Sequence, residues 1–145
     1  DIKAVDVPDS VTVLNEYTFA DCDSLEKVTL PSKLEKLMNH VFSYSTKIST
    51  LDLPETLTFI GSWTFGATKI TELNIPASVT EVGASAFGSS NIETINYPDE
   101  NTTIPAYAYS GADHMKTVKL PSKLTAIPDY AFHNCSSLKS VDVPE

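Results

Sequence analysis

The sequence predicts a solenoid of about six coils, each 22–23 residues long. The strands of successive coils should align in one parallel β-sheet, with a short helical or 3-10 turn in each coil. Three observations predict it. An apolar–polar–apolar tripeptide followed by Pro recurs seven times. The prolines Pro8, Pro31, Pro54, Pro76, Pro98, Pro121 and Pro144 are 23, 23, 22, 22, 23 and 23 residues apart. An aromatic residue returns in phase with them, as Phe19, Phe42, Phe65, Phe87, Tyr109 and Phe132. A fixed period of this size marks a stack of units in which each contacts only its neighbours.

Each unit begins at an apolar residue: Ile2, Leu25, Ile48, Ile70, Ile92, Met115 and, for an incomplete seventh, Leu138. Unit positions 4 to 6 alternate, as in Val5-Asp6-Val7 and Leu73-Asn74-Ile75, which is the period of a strand with one buried face. Pro at position 7 cannot donate to a ladder and ends the strand. Turn-forming residues follow, among them Asp9-Ser10, Ser32-Lys33, Glu55-Thr56 and Asp99-Glu100. Position 10 (Val11, Leu34, Leu57, Val79, Asn101, Leu124) and position 13 (Leu14, Leu37, Ile60, Val82, Ile104, Ile127) face back inward. A mostly small residue at position 17 and the aromatic at 18 read as a tight helical turn whose ring fills the space between layers.

One such unit buries too few side chains to offset the entropy of ordering its backbone, so only stacking makes it stable. Residues 1–145 therefore form a single domain. There is no initiating Met and no signal peptide, and the first unit begins at Ile2 while the last stops at Glu145. Neither end shows a separate cap, and the chain reads as a piece of a longer protein.

Composition narrows the function. The net charge is −9, and all ten basic residues are Lys. Nucleic-acid binders need a cationic surface and lean on Arg, so that class is excluded, as is attraction to anionic lipid. No apolar run approaches the roughly 18 residues of a membrane span, so no direct insertion is expected.

The pattern L-x-x-[IV]-x-[LI]-P-x-x-[LV]-x-x-[IL]-x-x-x-A-F-x-x-C resembles the BspA-like, or Treponema pallidum-type, leucine-rich repeat. Met115–Ser137 carries it most fully, with Leu120-Pro121, Leu124, Ile127, Ala131-Phe132 and Cys135 in place. The resemblance covers the whole chain. It implies a leucine-rich-repeat solenoid and a bacterial protein that is secreted or held at the cell surface. It also implies adhesion, since some members bind extracellular-matrix proteins or other microbes. The repeat's defining residues are structural, so no catalytic residue carries over. Units three and four are one residue short and lack the Cys. Unit five, 92–114, departs most, with Tyr97, Asn101 and Tyr109 where the others have aliphatic residues and Phe.

Catalytic and metal chemistry find no motif. Cys22 and Cys135 share unit position 21 in units one and six, about five ladder steps or roughly 24 Å apart. A disulfide needs Cα atoms within about 7 Å, so both read as small buried hydrophobes. His40, His114 and His133 occupy unlike positions without metal-ligand spacing. Asp21-Cys22-Asp23 lacks the remaining oxygens and Gly of a calcium loop. No phosphate loop, nucleophile triad or carboxylate pair appears. The sequons at Asn101 and Asn134 would matter only in a eukaryotic secretory protein. No enzyme, cofactor or metal is expected.

Binding residues are sought on the exposed face of the sheet, which solenoids present as a concave surface. Its centre holds Thr50 and Asp52, Glu72 and Asn74, Thr94 and Asn96: neutral to acidic and rich in hydrogen-bonding groups. An alternative platform is aromatic. Unit position 16 reads Tyr17, His40, Trp63, Ser85, Tyr107 and Tyr130, and Phe59 accompanies Trp63 in unit three. The expected function is a non-catalytic binding or adhesion module. Its partners would be a host extracellular-matrix protein or glycan, or another microbe's surface protein. The alternative is a passive structural spacer displaying another domain.

Overall fold

The computed structural model describes residues 2–99 and 103–142. Asn101 of coil five with its sequon, the turn residue Glu100, the seventh tripeptide's Val143 and Pro144, and Glu145 lie outside the described residues. The rest winds as the period requires. Coils one to six start at Ile2, Leu25, Ile48, Ile70, Ile92 and Met115, and strands pair in parallel at offsets of one repeat.

Among the described residues, ten short strands occupy two sides of the coil. On the first side lie β1 (Ala4–Asp6), β3 (Lys27–Thr29), β6 (Glu72–Asn74), β8 (Thr94–Asn96), β9 (Thr117–Lys119) and β10 (Ser140–Asp142). Ala4 is opposite Lys27, Leu73 opposite Ile95, and Val118 opposite Val141. Only the central residue of each strand points inward, as the alternation demands. The strands lie one residue earlier than the apolar pattern alone suggests, although position 6 still donates to the next coil: Val7 N–H reaches Thr29 O at 3.0 Å and Ile75 N–H reaches Asn96 O at 3.0 Å. The expected strand Leu51-Asp52-Leu53 does not form, which divides this side into β1-β3 and β6-β8-β9-β10.

The second side is a separate ladder of two-residue strands: β2 (Val13–Leu14), β4 (Lys36–Leu37), β5 (Phe59–Ile60) and β7 (Glu81–Val82). It ends at coil four for a local reason. Its continuation depends on the N–H of position 14, as in Met38 to Leu14 O, Gly61 to Leu37 O and Gly83 to Ile60 O, at 2.9, 2.8 and 2.7 Å. In coils five and six that position is Pro105 and Pro128, which have no N–H to give.

The third side carries the expected tight turns, in a form that joins the coils. Every coil has two residues in the left-handed region, at positions 16 and 20. Tyr17 (φ 59°) and Asp21 (φ 53°), or Trp63 (φ 56°) and Ala67 (φ 55°), are examples. Alternating backbone hand points every second N–H toward the next coil, while those between, as at Thr18 and Ala20, bond back to Asn15 O and Tyr17 O within the turn. Tyr17, Phe19 and Asp21 donate to Asn39, Val41 and Ser43 O at 3.2, 2.8 and 2.9 Å, and later coils repeat this. A true helix would have kept those bonds within itself.

Inside, the position-18 rings form one column. Phe19, Phe42, Phe65, Phe87, Tyr109 and Phe132 stack at centroid distances of 5.6, 5.9, 5.7, 5.7 and 5.2 Å, all within 16° of parallel. Position 21 closes the turn beneath them. The hydroxyls of Thr68 and Ser90 donate to Phe65 O and Phe87 O, and the Cys135 thiol donates to Tyr109 O in the preceding coil at 3.2 Å. Cys22 and Cys135 are free thiols in coils one and six. Burial pushes the Cys135 thiol above its usual range; Asp113 adds to this, and a hydrogen bond with Ala112 opposes it.

Candidate functional site

The first sheet side projects its position-3 and position-5 side chains outward because its position-4 residues are drawn into the core. Leu51 is 7% exposed, and Leu73 and Ile95 are each 1% exposed. Thr50, Asp52, Glu72, Asn74 and Asn96 are accordingly exposed, and Thr94 is half-buried. Register places Glu72 beside Thr94 and Asn74 beside Asn96. Asn96 Nδ2 donates to Asn74 Oδ1 at 2.7 Å, which fixes both amides. One coil on, Lys116 Nζ lies 2.8 Å from Glu93 Oε2.

A hollow of about 380 Å³ opens on this side between coils three and four. Thr50, Asp52, Glu72 and Asn74 all line it, so four of the six residues expected from the sequence meet there. Thr94 and Asn96 stand outside it. Glu55 also lines it and was not anticipated as a site residue. Its signal was weak: it is the first turn residue after Pro54, and the turn carries it back over the face. The hollow offers three carboxylates, an amide and a hydroxyl above an apolar floor that includes Leu51, Leu53 and Ile75.

The aromatic residues form a row elsewhere. Tyr17 stacks on His40 at 4.8 Å, and His40 on Trp63 at 6.3 Å, each within 11° of parallel. Ser85 interrupts the row, and Tyr107 and Tyr130 resume it at 4.9 Å. Trp63 lies down over Gly66, where an added Cβ would sit 2.4 Å from its Cε3. Phe59 belongs to the second ladder, between Lys36 and Glu81. It joins no ring stack among the described residues, whereas Trp63 stacks on His40.

None of the groups whose proton affinity is displaced lines the hollow. Burial pushes Tyr97 up to about 12 and Tyr109 well above the usual phenol range. Among the described residues, no group of three or more His, Cys, Asp and Glu side chains could hold a metal ion. Nor is any helix among them long and apolar enough to cross a membrane.

The model of the BspA type leucine-rich repeat region matches in six copies, over residues 1–116 and 102–145. No curated protein matches the chain. Among solved structures, a leucine-rich repeat protein from Bacteroides ovatus is 29% identical with a TM-score of 0.93, covering 99% of this chain and 38% of its own. The leucine-rich repeat protein of T. pallidum is 23% identical with a TM-score of 0.68, covering 98% and 57%. The pneumococcal vaccine antigen PcpA is 22% identical with a TM-score of 0.74, covering 90% and 35%. The last two likenesses show the fold alone. The chain spans less than two thirds of the length of each of these proteins.

Proposed function

Because the chain belongs to the BspA type leucine-rich repeat family, we propose that it is a non-catalytic binding and adhesion module of a bacterial protein that is secreted or held at the cell surface. It recognises a host extracellular-matrix protein or glycan, or another microbe's surface protein. The recognising surface is the exposed side of the first sheet, at Thr50, Asp52, Glu72, Asn74, Thr94 and Asn96. The observation that carries this reading is the hollow of coils three and four, where four of these side chains converge on a frame held by ladders on its other sides. A frame already ordered loses little entropy on binding, so modest polar contacts suffice for affinity.

The test is label-free binding of the purified chain to fibronectin, fibrinogen, mucin and host glycans, beside an Asn74→Lys, Asn96→Lys double variant. Saturable binding to one target by the parent, lost in a variant of unchanged thermal stability, supports the reading. Binding that the double variant retains moves the site to the Tyr17–His40–Trp63 row. No binding to any target favours the passive spacer.

A further inference from the structure

The sheet that carries the binding face is parted in one place. β3 and β6 flank coil three, yet neither pairs with it. Among the described residues, no backbone hydrogen bond joins residues 49–53 to coil two or coil four. The same coils are closed elsewhere: β4, β5 and β7 are laddered, and Phe42 and Phe65 N–H donate to Thr64 O and Ala86 O at 2.9 and 2.8 Å. The parting is therefore confined to this face. It leaves main-chain carbonyls of an interior segment without the inter-coil donors that Lys3, Thr71 and Lys116 O have in coils one, four and six.

The 380 Å³ hollow lies against the parted segment. Its polar lining consists of acceptors at every charged position. Asp52, Glu55 and Glu72 are exposed carboxylates, Thr50 adds a hydroxyl, and Asn74 an amide whose Oδ1 is already engaged by Asn96. No Lys lines it, and the chain has no Arg. The two ion pairs among the described residues, Lys3–Glu26 and Lys116–Glu93, leave all three carboxylates uncompensated. Beneath them is the apolar floor of Leu51, Leu53, Ile75 and Pro76.

We infer that this hollow anchors an arginine side chain presented by a basic segment of a protein partner. The inference rests on the reading of this face as the binding face and adds its ligand chemistry. A guanidinium brings five donors in a planar fork and no acceptor, which suits a lining of carboxylates and open carbonyls. Its methylenes suit the apolar floor. An ammonium satisfies fewer acceptors at once, so Lys binds the hollow more weakly. Sulfated or sialylated glycans are repelled by the same three carboxylates. The net charge of −9 draws basic partners toward the chain from a distance.

The experiment is a proton–nitrogen NMR titration of the whole chain with a short Gly/Ser peptide carrying one arginine. Matched peptides carry lysine or the neutral isostere citrulline. The arginine peptide should give saturable shifts confined to amides 50–55 and 72–75, weaker with lysine and absent with citrulline. Asp52→Asn with Glu72→Gln should raise the Kd about tenfold or more, and added salt should raise it in the parent. Glu81→Gln with Asp129→Asn removes the same charge elsewhere and should leave the Kd unchanged. Shifts scattered over the surface, an equal response to citrulline, or equal weakening by the two double variants would overturn the anchor. Loss of target binding in the Asn74→Lys, Asn96→Lys variant without localised arginine shifts sinks the anchor and keeps the binding face. Localised arginine shifts without any target from the protein panel support the anchor and count against the panel's partners.

Discussion

Tyr97 and Tyr109 turn their hydroxyls into the same interior, that of coil five, and neither finds a hydrogen-bond partner of good geometry among the described residues. They are close enough for each phenol to influence the other's ionisation. These are two of the three residues by which unit five departs from the repeat. These two departures thus meet inside the coil, not on a surface.

An unsatisfied buried hydroxyl costs about 1 to 3 kcal/mol, whereas removing both members of a poorly matched pair recovers that cost. The Tyr97→Phe, Tyr109→Phe double variant should therefore be more stable than the parent. Either single change should gain less, because it strips the remaining phenol of its polar neighbour. Urea unfolding midpoints of the four proteins check this, and additive single effects would contradict it.

Alkali should expose the same pair. Burial is the chief cause that holds Tyr97 at about 12, against 10.0 for the free phenol. Above pH 10 the unfolded chain gives up the proton that the native chain keeps, so the native state binds more protons and stability falls as pH rises. The contribution is whole below pH 10 and is lost progressively through pH 12. The slope from Tyr97 approaches about 1.4 kcal/mol per pH unit. Unfolding midpoints between pH 9 and about 12 should fall less steeply in the double Phe variant.

Gly83 sits where two coils touch. A Cβ there would lie 2.3 Å from Ser62 N and 2.7 Å from Gly61 C, both backbone atoms that cannot step aside. Gly83→Ala should push coils three and four apart at a cost of about 2 to 3 kcal/mol. Gly88→Ala meets its nearest atoms at 3.2 to 3.3 Å and should cost less. Thermal unfolding of the two variants gives the ranking, and equal losses would count against backbone contact as the cause.

Ala67 is held at φ 55° by the turn ladder, in a region that disfavours any residue with a Cβ. Its counterpart in coil five is Gly111, at φ 72°. Ala67→Gly should stabilise the chain by about 0.5 to 1 kcal/mol, the relief of strain exceeding the added freedom of the unfolded chain. Gly111→Ala should do the reverse. Chemical denaturation of both variants checks the sign.

Much of the fold could be read from one dimension because each coil answers mainly to its neighbours. Pro8, Pro31, Pro76, Pro98 and Pro121 each follow a strand, Phe19 and its successors fill the column, and the spacing between them leaves one way to stack. The outward residues of the first sheet followed from the same alternation. The end of the second ladder was also written at Pro105 and Pro128. Its meaning became visible only when Met38, Gly61 and Gly83 showed that position 14 is a donor.

The sequence by itself determined the coil, its period, its inner column and the side chains offered to solvent, because those depend on contacts repeated at every step. Only the tertiary structure decided where the repetition fails. Parting of coil three from both neighbours made the hollow and brought Glu55 to Asp52 and Glu72. Stacking of His40 on Trp63 left Phe59 in another row. Left-handed backbone at Tyr17, Trp63 and Ala67 turned a nominal helix into a ladder. Each of these is a balance among several coils at once, and no residue's identity carries the sum.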